Sequence, residues 1–286
     1  MIPFTKMHGN GNDFLVICNT DLAFSTGDLS ALALDACRRK ESVGADGILV
    51  IEPSERANFR MRIFNADGSE GEMCGNGARC IARYAFENGM APESMVFETL
   101  AGLIRAGVNG ERVSLDLGEI CLKDGWFGDR LMVRGAPCAS VYLKVGVPHC
   151  VVFLDDFAGY SRDDLREIGR EIRNDAARFP EGTNVNFIVP EPPSDVRAVT
   201  YERGVEDLTE SCGTGCVAGA IACAVTQGME SPIFVHNPGG TNEVGLVFSD
   251  DNERCRATLT GRTAVVARGV LLSRDAIRRS MGRNES

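Results

Sequence analysis

Long apolar runs are missing from this sequence of 286 residues. No stretch approaches the roughly 20 apolar residues that a helix needs to cross a bilayer. The start, MIPFTKMHGNG, also lacks the apolar segment of a secretory signal peptide. We therefore predict a cytoplasmic protein that has no membrane partner.

An excess of basic residues is missing as well. The chain has 30 Lys and Arg against 40 Asp and Glu, a net charge of −10, and the basic residues are scattered except near the end. Binding to nucleic acid depends on clustered positive charge. This balance therefore argues against nucleic acid as a partner.

Complete nucleotide-binding motifs are the third absence. HGNGNDFLV and CGNGARC are rich in glycine, but neither completes G-x-G-x-x-G, and the first is followed by a predicted strand where the dinucleotide motif needs a helix. No GKS or GKT completes a P-loop. The sequence thus excludes a Rossmann dinucleotide site and a P-loop.

Cysteine, by contrast, is plentiful, with eleven residues. Disulfide frameworks are typical of short secreted chains, and this chain is neither short nor predicted to be secreted. Several of its cysteines, such as Cys18, Cys37, Cys150 and Cys223, lie inside apolar runs. We predict that most are reduced, buried thiols.

Hydrophobic periodicity predicts an α/β (α+β) fold. We predict strands over 13–20, 47–53 and 59–71, the last with one solvent-facing side, since Phe59, Met61 and Ile63 alternate with Arg60 and Arg62. Helices are predicted over 28–40, with a basic last turn, and over 161–174, with Ser161 as the N-cap. VNGERV predicts one of several hairpins. Hairpins favour mixed or antiparallel sheets over a doubly wound sheet.

The chain is long enough for two modest domains. Each half has the same predicted order of strands, a surface helix, more strands, and a helix that follows a cysteine. The stretch 117–129 is the natural boundary, which gives an N-terminal half over 1–117 and a C-terminal half over 118–267. We expect a last strand, about 268–286, to complete the N-terminal half, and the polar end DAIRRSMGRNES to fray.

The two helices that follow a cysteine carry the strongest chemical signal. They are written EMCGNGARCIARYAFENG, with Cys74, and ESCGTGCVAGAIACAVTQG, with Cys212, about half the chain apart. The first predicts a buried face through Ala78, Ile81 and Phe86, and the second is apolar nearly all round. A helix start presents unpaired N–H groups and the positive end of the macrodipole, which can hold a carboxylate. The same field lowers the pKa of a thiol from about 8.5 towards roughly 3.5–7.5.

If both turns flank one cavity, a thiolate can remove a proton from one face of a carbon while a thiol returns a proton to the other face. Such a pair inverts a stereocentre. Three alternatives stay open from the residues alone. The cysteines could be inert, one of them could be a lone nucleophile, or Cys74, Cys80, Cys212 and Cys216 could hold zinc at unusual spacings.

Seven motifs follow one another along roughly residues 3–270: KMHGNGNDF, RIFNADGSE, MCGNGARC, VPHCVV, FPEGTNVNF, YERG and SCGTG. With these motifs the chain resembles the diaminopimelate epimerase family of cofactor-independent, two-cysteine amino-acid racemases. The resemblance implies two pseudo-symmetric domains, each of mixed sheet wrapped around a central helix, with the active site in the cleft between them. It also implies no pyridoxal phosphate and no metal, a small amino-acid substrate, and a possible homodimer.

Residue by residue, the resemblance implies that Cys74 and Cys212 are the catalytic acid/base pair and that His149 and Glu202 tune the two thiols. The implied substrate-binding residues are Asn12, Asn65, Gly75, Asn76, Asn184, Glu202, Arg203, Gly213 and Thr214. Among them, the backbone at Gly75, Asn76, Gly213 and Thr214 forms the cradle for the reacting carboxylate. The side chains suit these roles, because an Arg can pair with a carboxylate through two hydrogen bonds and amides can accept from an ammonium.

One departure bears on the substrate. The family usually has Asn before the Pro-His pair, and this chain has Val147. A polar substrate group left unpaired at that point would cost about 1–3 kcal/mol. The loop over 206–211, where Leu208 replaces a common acidic residue, could reshape the same region. The predicted reaction is LL- to meso-diaminopimelate, a step towards lysine and cell-wall precursors. The alternatives are a racemase of a single-centre amino acid such as histidine, an isomerase that moves a double bond, and a module that only binds an amino acid.

Overall fold

A computed structural model describes residues 1–272. These residues divide into two compact units, one made of Met1 to Leu115 and the segment from Arg262 to Leu272, the other from Asp116 to Gly261. The predicted last strand up to 286 lies partly, and the predicted fraying end wholly, outside the described residues. Within residues 1–272, no helix is both long and apolar enough to span a membrane.

The elements of the first unit are β1 Ile2–Gly9, β2 Asn12–Cys18, α1 Thr26–Ala36, β3 Gly47–Glu52, β4 Phe59–Asn65, β5 Glu70–Gly71, α2 Gly75–Glu87, β6 Ser94–Thr99, β7 Gly102–Asn109 and β8 Arg112–Cys121. Those that follow are β9 Trp126–Val133, β10 Ala136–Val145, β11 Val147–Phe153, α3 Arg162–Arg173, β12 Asn184–Glu191, β13 Asp195–Glu202, β14 Asp207–Thr209, α4 Gly213–Gln227, β15 Ile233–Asn237, β16 Gly240–Phe248 and β17 Arg254–Leu271. The chain changes unit inside β8 and β17.

Both units repeat one order of strand pairing. In the first, β1 and β2 are antiparallel, β2 and β3 are parallel across α1, and β3 and β4 are antiparallel. In the second, β10, β11, β12 and β13 pair in the same sequence across α3. After α2 or α4, the next strand joins its sheet in parallel, as β6 on β4 and β15 on β13. The mixed sheets predicted from the hairpins are therefore confirmed.

The helices that follow a cysteine lie at the centre of packing in their own units. Helix α2 packs against β1, β2 and β7, and α4 against strands from β9 to β13 and against β15 and β16. Residues Cys216 to Cys223 of α4 belong to a core cluster with strand residues such as Val151, Ile188 and Ala198. The all-round apolar character of α4 is explained by this surrounding of strands. In α2 the predicted buried face holds except at Phe86, which is 39% exposed.

Helix α1 is shorter than the predicted 28–40. It begins after the N-cap Ser25 and ends at Ala36, so the basic residues lie beyond the helix and its last turn has none. The chain turns at this point because Gly44 N–H donates to the Ala36 carbonyl. The guanidinium of Arg39 pairs instead with Asp13 at 2.6 Å. For α3, the predicted N-cap is confirmed, since the Ser161 side chain accepts from Asp164 N–H.

The prediction of a solvent-facing side on 59–71 is wrong for Arg62. This side chain is only 9% exposed, and its guanidinium pairs with Glu70 at 2.7 Å and with Glu52 at 3.3 Å. It also donates to the Thr26 hydroxyl at the start of α1, the helix that packs on β4. A charged residue in an alternating pattern predicts a side chain that faces solvent, whereas here two carboxylates and a hydroxyl replace the water.

All eleven cysteines are free thiols. Cys37, Cys150 and Cys223 are buried as predicted, but Cys18 is exposed. Cys18 is the last residue of β2, and its thiol lies 3.3 Å from the Thr20 hydroxyl where the chain leaves the sheet.

Candidate active site

In the first unit, Cys74 is the N-cap of α2. Its backbone is extended, with φ −137° and ψ 123°, and its carbonyl accepts the Ala78 N–H at 2.7 Å, which starts the helix. The thiol itself makes no capping hydrogen bond. It lies instead 3.5 Å from Asn12 Oδ1 on β2, in a partly buried position. The predicted thiol at a helix start is therefore confirmed for Cys74.

The Asn12 amide that lies beside this thiol is held by a second amide. The Asn76 side chain, only 4% exposed, donates to Asn12 Oδ1 at 3.4 Å, and Asn12 donates in turn to Asp46 at 2.7 Å. The Arg79 guanidinium donates to Asn76 Oδ1 at 2.6 Å. Because a guanidinium can only donate, this bond fixes the oxygen of Asn76 towards Arg79 and its N–H groups towards Asn12. The structure thus brings together Cys74, Asn12 and Asn76.

Asn65 is placed differently. It is the exposed last residue of β4, and its side chain donates to the Ser69 hydroxyl at 3.0 Å in the turn that follows. No hydrogen bond of the described residues joins its side chain to the group around Cys74.

In the second unit, Cys212 is the N-cap of α4, with φ −104° and ψ 112°. Its Sγ accepts the Gly215 N–H at 3.4 Å and lies 3.6 Å from the Thr214 hydroxyl. Burial raises the pKa of this thiol well above its ordinary value, and the Glu202 carboxylate raises it further. The expectation that a helix start lowers the pKa is therefore wrong for Cys212, because loss of water outweighs the helix N–H groups.

Glu202 is the neighbour of Cys212. It accepts the Thr209 hydroxyl at 2.6 Å and is hydrogen-bonded to the Cys212 thiol. Burial raises the pKa of this carboxyl, and these two hydrogen bonds oppose the rise. Glu202 thus lies in hydrogen-bond contact with Cys212, and its charge raises the pKa of that thiol.

Asn184 and Arg203 lie next to each other. Asn184 is 5% exposed, and its Oδ1 accepts the Arg203 N–H at 2.7 Å. The Arg203 guanidinium donates to the Glu181 carbonyl at 2.7 Å and is partly exposed. Val147 begins β11 opposite Val145, across a turn at Gly146.

His149 is fully buried on β11, in register with Asn184 on β12. Burial lowers the pKa of its imidazole to about 3, so the ring is neutral at physiological pH. Its Nδ1 lies 3.1 Å from the Nδ2 of Asn186, a residue that the sequence predictions missed. The signal was available, because Asn184 and Asn186 are two residues apart and share one face of a strand.

Metal ligation was one alternative for the cysteines. Among the side chains that the structure describes, no group of three or more His, Cys, Asp or Glu is arranged to hold a metal ion.

Replacing Glu202 by Gln should make the Cys212 thiol more acidic, because the substitution removes a negative charge that raises the pKa of the thiol. The rate of Cys212 alkylation, followed peptide by peptide by mass spectrometry, should then rise at a lower pH than in the wild type. Glu210→Gln is the matched control, since Glu210 is exposed and pairs with Arg162. An unchanged Cys212 profile in Glu202→Gln would contradict the charge effect.

Two repeated units, each with a helix that begins at a cysteine, define an α/β protein built around paired thiols. Solved structures of low sequence identity share this fold. A Bacillus anthracis phenazine biosynthesis protein of the PhzF family matches with a TM-score of 0.71 at 15% identity, over 95% of this chain and 99% of that one. A probable proline racemase from Agrobacterium radiobacter K84 matches with a TM-score of 0.66 at 17% identity, over 96% and 94%.

Sequence comparison is more specific. The family model for diaminopimelate epimerase matches residues 4–122 and 141–266. The diaminopimelate epimerase of Archaeoglobus fulgidus is 40% identical, over 94% of this chain and 96% of its own. That of Desulfitobacterium hafniense is 38% identical, over 95% and 98%. The chain belongs to the diaminopimelate epimerase family, which confirms the resemblance seen in its motifs and makes it an isomerase.

Proposed function

We propose that this protein converts LL- to meso-diaminopimelate by a two-base mechanism in which Cys74 and Cys212 serve as acid and base. The observation that supports it most directly is that each unit begins its central helix with a cysteine whose thiol meets a hydrogen-bonding partner, Asn12 for Cys74 and Glu202 for Cys212. Membership of the family supplies the substrate.

The proton balance of the reaction is simple. One thiolate takes the α-proton, and the electron pair of the C–H bond passes into the substrate as a carbanion that the carboxylate delocalises. The opposite thiol then gives its proton to the other face of the same carbon. Burial and the Glu202 carboxylate raise the pKa of Cys212, which favours its protonated form. We therefore assign Cys212 as the proton donor and Cys74 as the base when the LL epimer reacts.

The negative charge that develops on the carboxylate needs hydrogen-bond donors. The first-turn N–H groups of α2 and α4, at Gly75, Asn76, Gly213 and Thr214, lie at helix starts, before the regular hydrogen-bond pattern of the helix begins. Such donors are fixed before the reaction begins, so they stabilise the carbanion without reorganising. We assign them to the reacting carboxylate.

The far end of diaminopimelate carries a second ammonium and a second carboxylate. Arg203 can bind the carboxylate through two hydrogen bonds, and the oxygens of Asn12, Asn65, Asn184 and Glu202 can accept from the ammonium. In this proposal Val147 is a tolerated change. We further propose that the enzyme works in the cytoplasm, where its thiols stay reduced, as a homodimer and without pyridoxal phosphate.

The test is exchange of the α-proton for deuterium, followed by NMR in heavy water without added cofactor. LL- and meso-diaminopimelate, histidine and the other common amino acids are compared at equal concentration. We expect exchange with inversion on diaminopimelate alone. Exchange on histidine or another single-centre amino acid, with diaminopimelate inert, would overturn the substrate and leave the two-cysteine chemistry. A protein that binds diaminopimelate without any exchange would overturn the enzyme assignment.

A further inference from the structure

Asn186 on β12 joins three buried groups beneath the start of α4. Its Nδ2 donates to the Cys150 carbonyl at 3.2 Å and lies 3.1 Å from His149 Nδ1, and its Oδ1 accepts the Thr200 hydroxyl at 3.0 Å. Asn186 and His149 are fully buried, and Thr200 is 2% exposed. Asn186 and Thr200 face each other in the register of β12 and β13, so the strands themselves hold the contact.

These partners fix which way the amide points. The Cys150 carbonyl can only accept, so the amide nitrogen must face it. The same nitrogen has a second hydrogen, and this one is directed at His149 Nδ1. The Thr200 hydroxyl donates to the amide oxygen on the other side. His149 Nδ1 is therefore an acceptor, and the neutral ring carries its proton on Nε2.

The Nε2–H group of His149 is a buried hydrogen-bond donor. It has no hydrogen-bond partner among the described residues. A buried donor without an acceptor destabilises the folded chain, and a working site recovers that free energy when an acceptor arrives. The ring is neutral and its only acceptor nitrogen is occupied by Asn186, so it can donate a hydrogen bond but cannot take up a proton.

We propose that Asn186, held by Thr200, is a positioning residue that fixes His149 in its Nε2–H form, so that His149 donates to an anionic acceptor of the reaction and does not act as a base. The acceptor is a substrate carboxylate oxygen or a catalytic thiolate. Its identity rests on the proposed function, whereas the tautomer is a property of the folded chain. The sequence signal is the pair of asparagines in TNVNF, of which the first serves Arg203 and the second His149.

The first measurement needs no substrate. The chain has three histidines, so protein labelled with ¹⁵N-histidine gives three imidazole patterns, and His149→Gln identifies the one from His149. We expect His149 to show a single Nε2–H tautomer that does not titrate between about pH 5 and 8. A protonated Nδ1, or titration in that interval, would overturn the proposal. Should this tautomer be found in a protein inactive on diaminopimelate, the proposed function would fail while the assignment of Asn186 to the tautomer stood.

The second measurement joins the tautomer to activity. Asn186→Asp places an acceptor where the amide donated, so we expect His149 to move its proton to Nδ1 and kcat to fall by roughly 10–100-fold, with a raised KM only where the acceptor is the substrate carboxylate. A changed tautomer with wild-type kcat, or an unchanged tautomer, would overturn the positioning role. If this variant does not fold, Thr200→Val and Thr200→Ser test the positioning role instead, because they remove or keep the hydroxyl that donates to Asn186. The serine keeps the hydroxyl and should behave as the wild type, whereas the valine should populate both tautomers and lower kcat. Identical behaviour of the pair would count against the proposal.

The acceptor is identified by following the His149 Nε2–H resonance. A shift on adding diaminopimelate to the Cys74→Ala and Cys212→Ala proteins alike indicates the carboxylate. A shift that either alanine variant abolishes indicates the thiolate of that cysteine. No shift in the wild type at saturating substrate would overturn the role of His149 as a donor.

Discussion

Inversion of diaminopimelate should be lost when Cys212 is replaced by alanine, while one epimer keeps its ability to exchange the α-proton. With Cys74 alone, a proton can be taken from one face and returned to the same face, which exchanges hydrogen for deuterium without inversion. Removing one acid/base group costs about 10²–10⁴-fold in rate. The expected result is therefore a loss of at least roughly 10²-fold in epimerisation, measured by the formation of the opposite epimer.

The reciprocal variant makes the test symmetrical. Cys74→Ala should also stop inversion, but the residual exchange should pass to the other epimer, because the surviving thiol serves the opposite face. Cys223→Ala is the control, since Cys223 lies in the same helix as Cys212, is fully buried in the core and has no part in the proposed chemistry. Exchange of the same epimer in both cysteine variants would contradict a two-base mechanism. Normal inversion in either one would rule it out.

The local signals in the sequence were sufficient for some elements. Glycine-rich turns after Cys74 and Cys212, and the serine at 161, predict helix starts because capping depends on a few neighbouring residues. The alternation in 59–71 predicted a strand but not the burial of Arg62, because its carboxylate partners come from β3 and β5, and the hydroxyl from α1. The fold class follows from local pattern, whereas burial depends on what the rest of the chain brings.

In the candidate site, too, local sequence predicts some features, and others depend on the rest of the chain. The order of the motifs identified Cys74, Cys212 and their neighbours, because those residues are contiguous with recognisable turns. The direction of the pKa of Cys212 could not be read in this way, because it depends on how completely water is excluded around α4 and on Glu202. Asn186 was missed for a related reason. Its role needs the register that sets β12 beside β11 and β13, and no single segment carries that register.

Two of the three glycines of α4, Gly215 and Gly219, provide a direct test of how tightly the side chains pack around the start of this helix. A Cβ added at Gly215 would clash with Asn186 Oδ1 and would lie 3.2 Å from Cys212 Sγ. A Cβ added at Gly219, one turn further along, would meet only Ile188 Cγ2 at 3.4 Å, an ordinary contact. The same substitution is therefore expected to act in opposite directions within one helix.

Gly215→Ala should lower the free energy of unfolding by about 1–3 kcal/mol, because Asn186 is held by three hydrogen bonds and can move away only by breaking them. It should also reduce kcat, since both Cys212 and His149 depend on that arrangement. Gly219→Ala should instead raise the free energy of unfolding by up to about 1 kcal/mol, the helix propensity that alanine has over glycine. Urea denaturation and epimerase assays of the two variants provide the comparison. If Gly215→Ala were as stable and as active as Gly219→Ala, Asn186 would be free to move, and neither the packing at the start of α4 nor the fixed tautomer of His149 could be maintained.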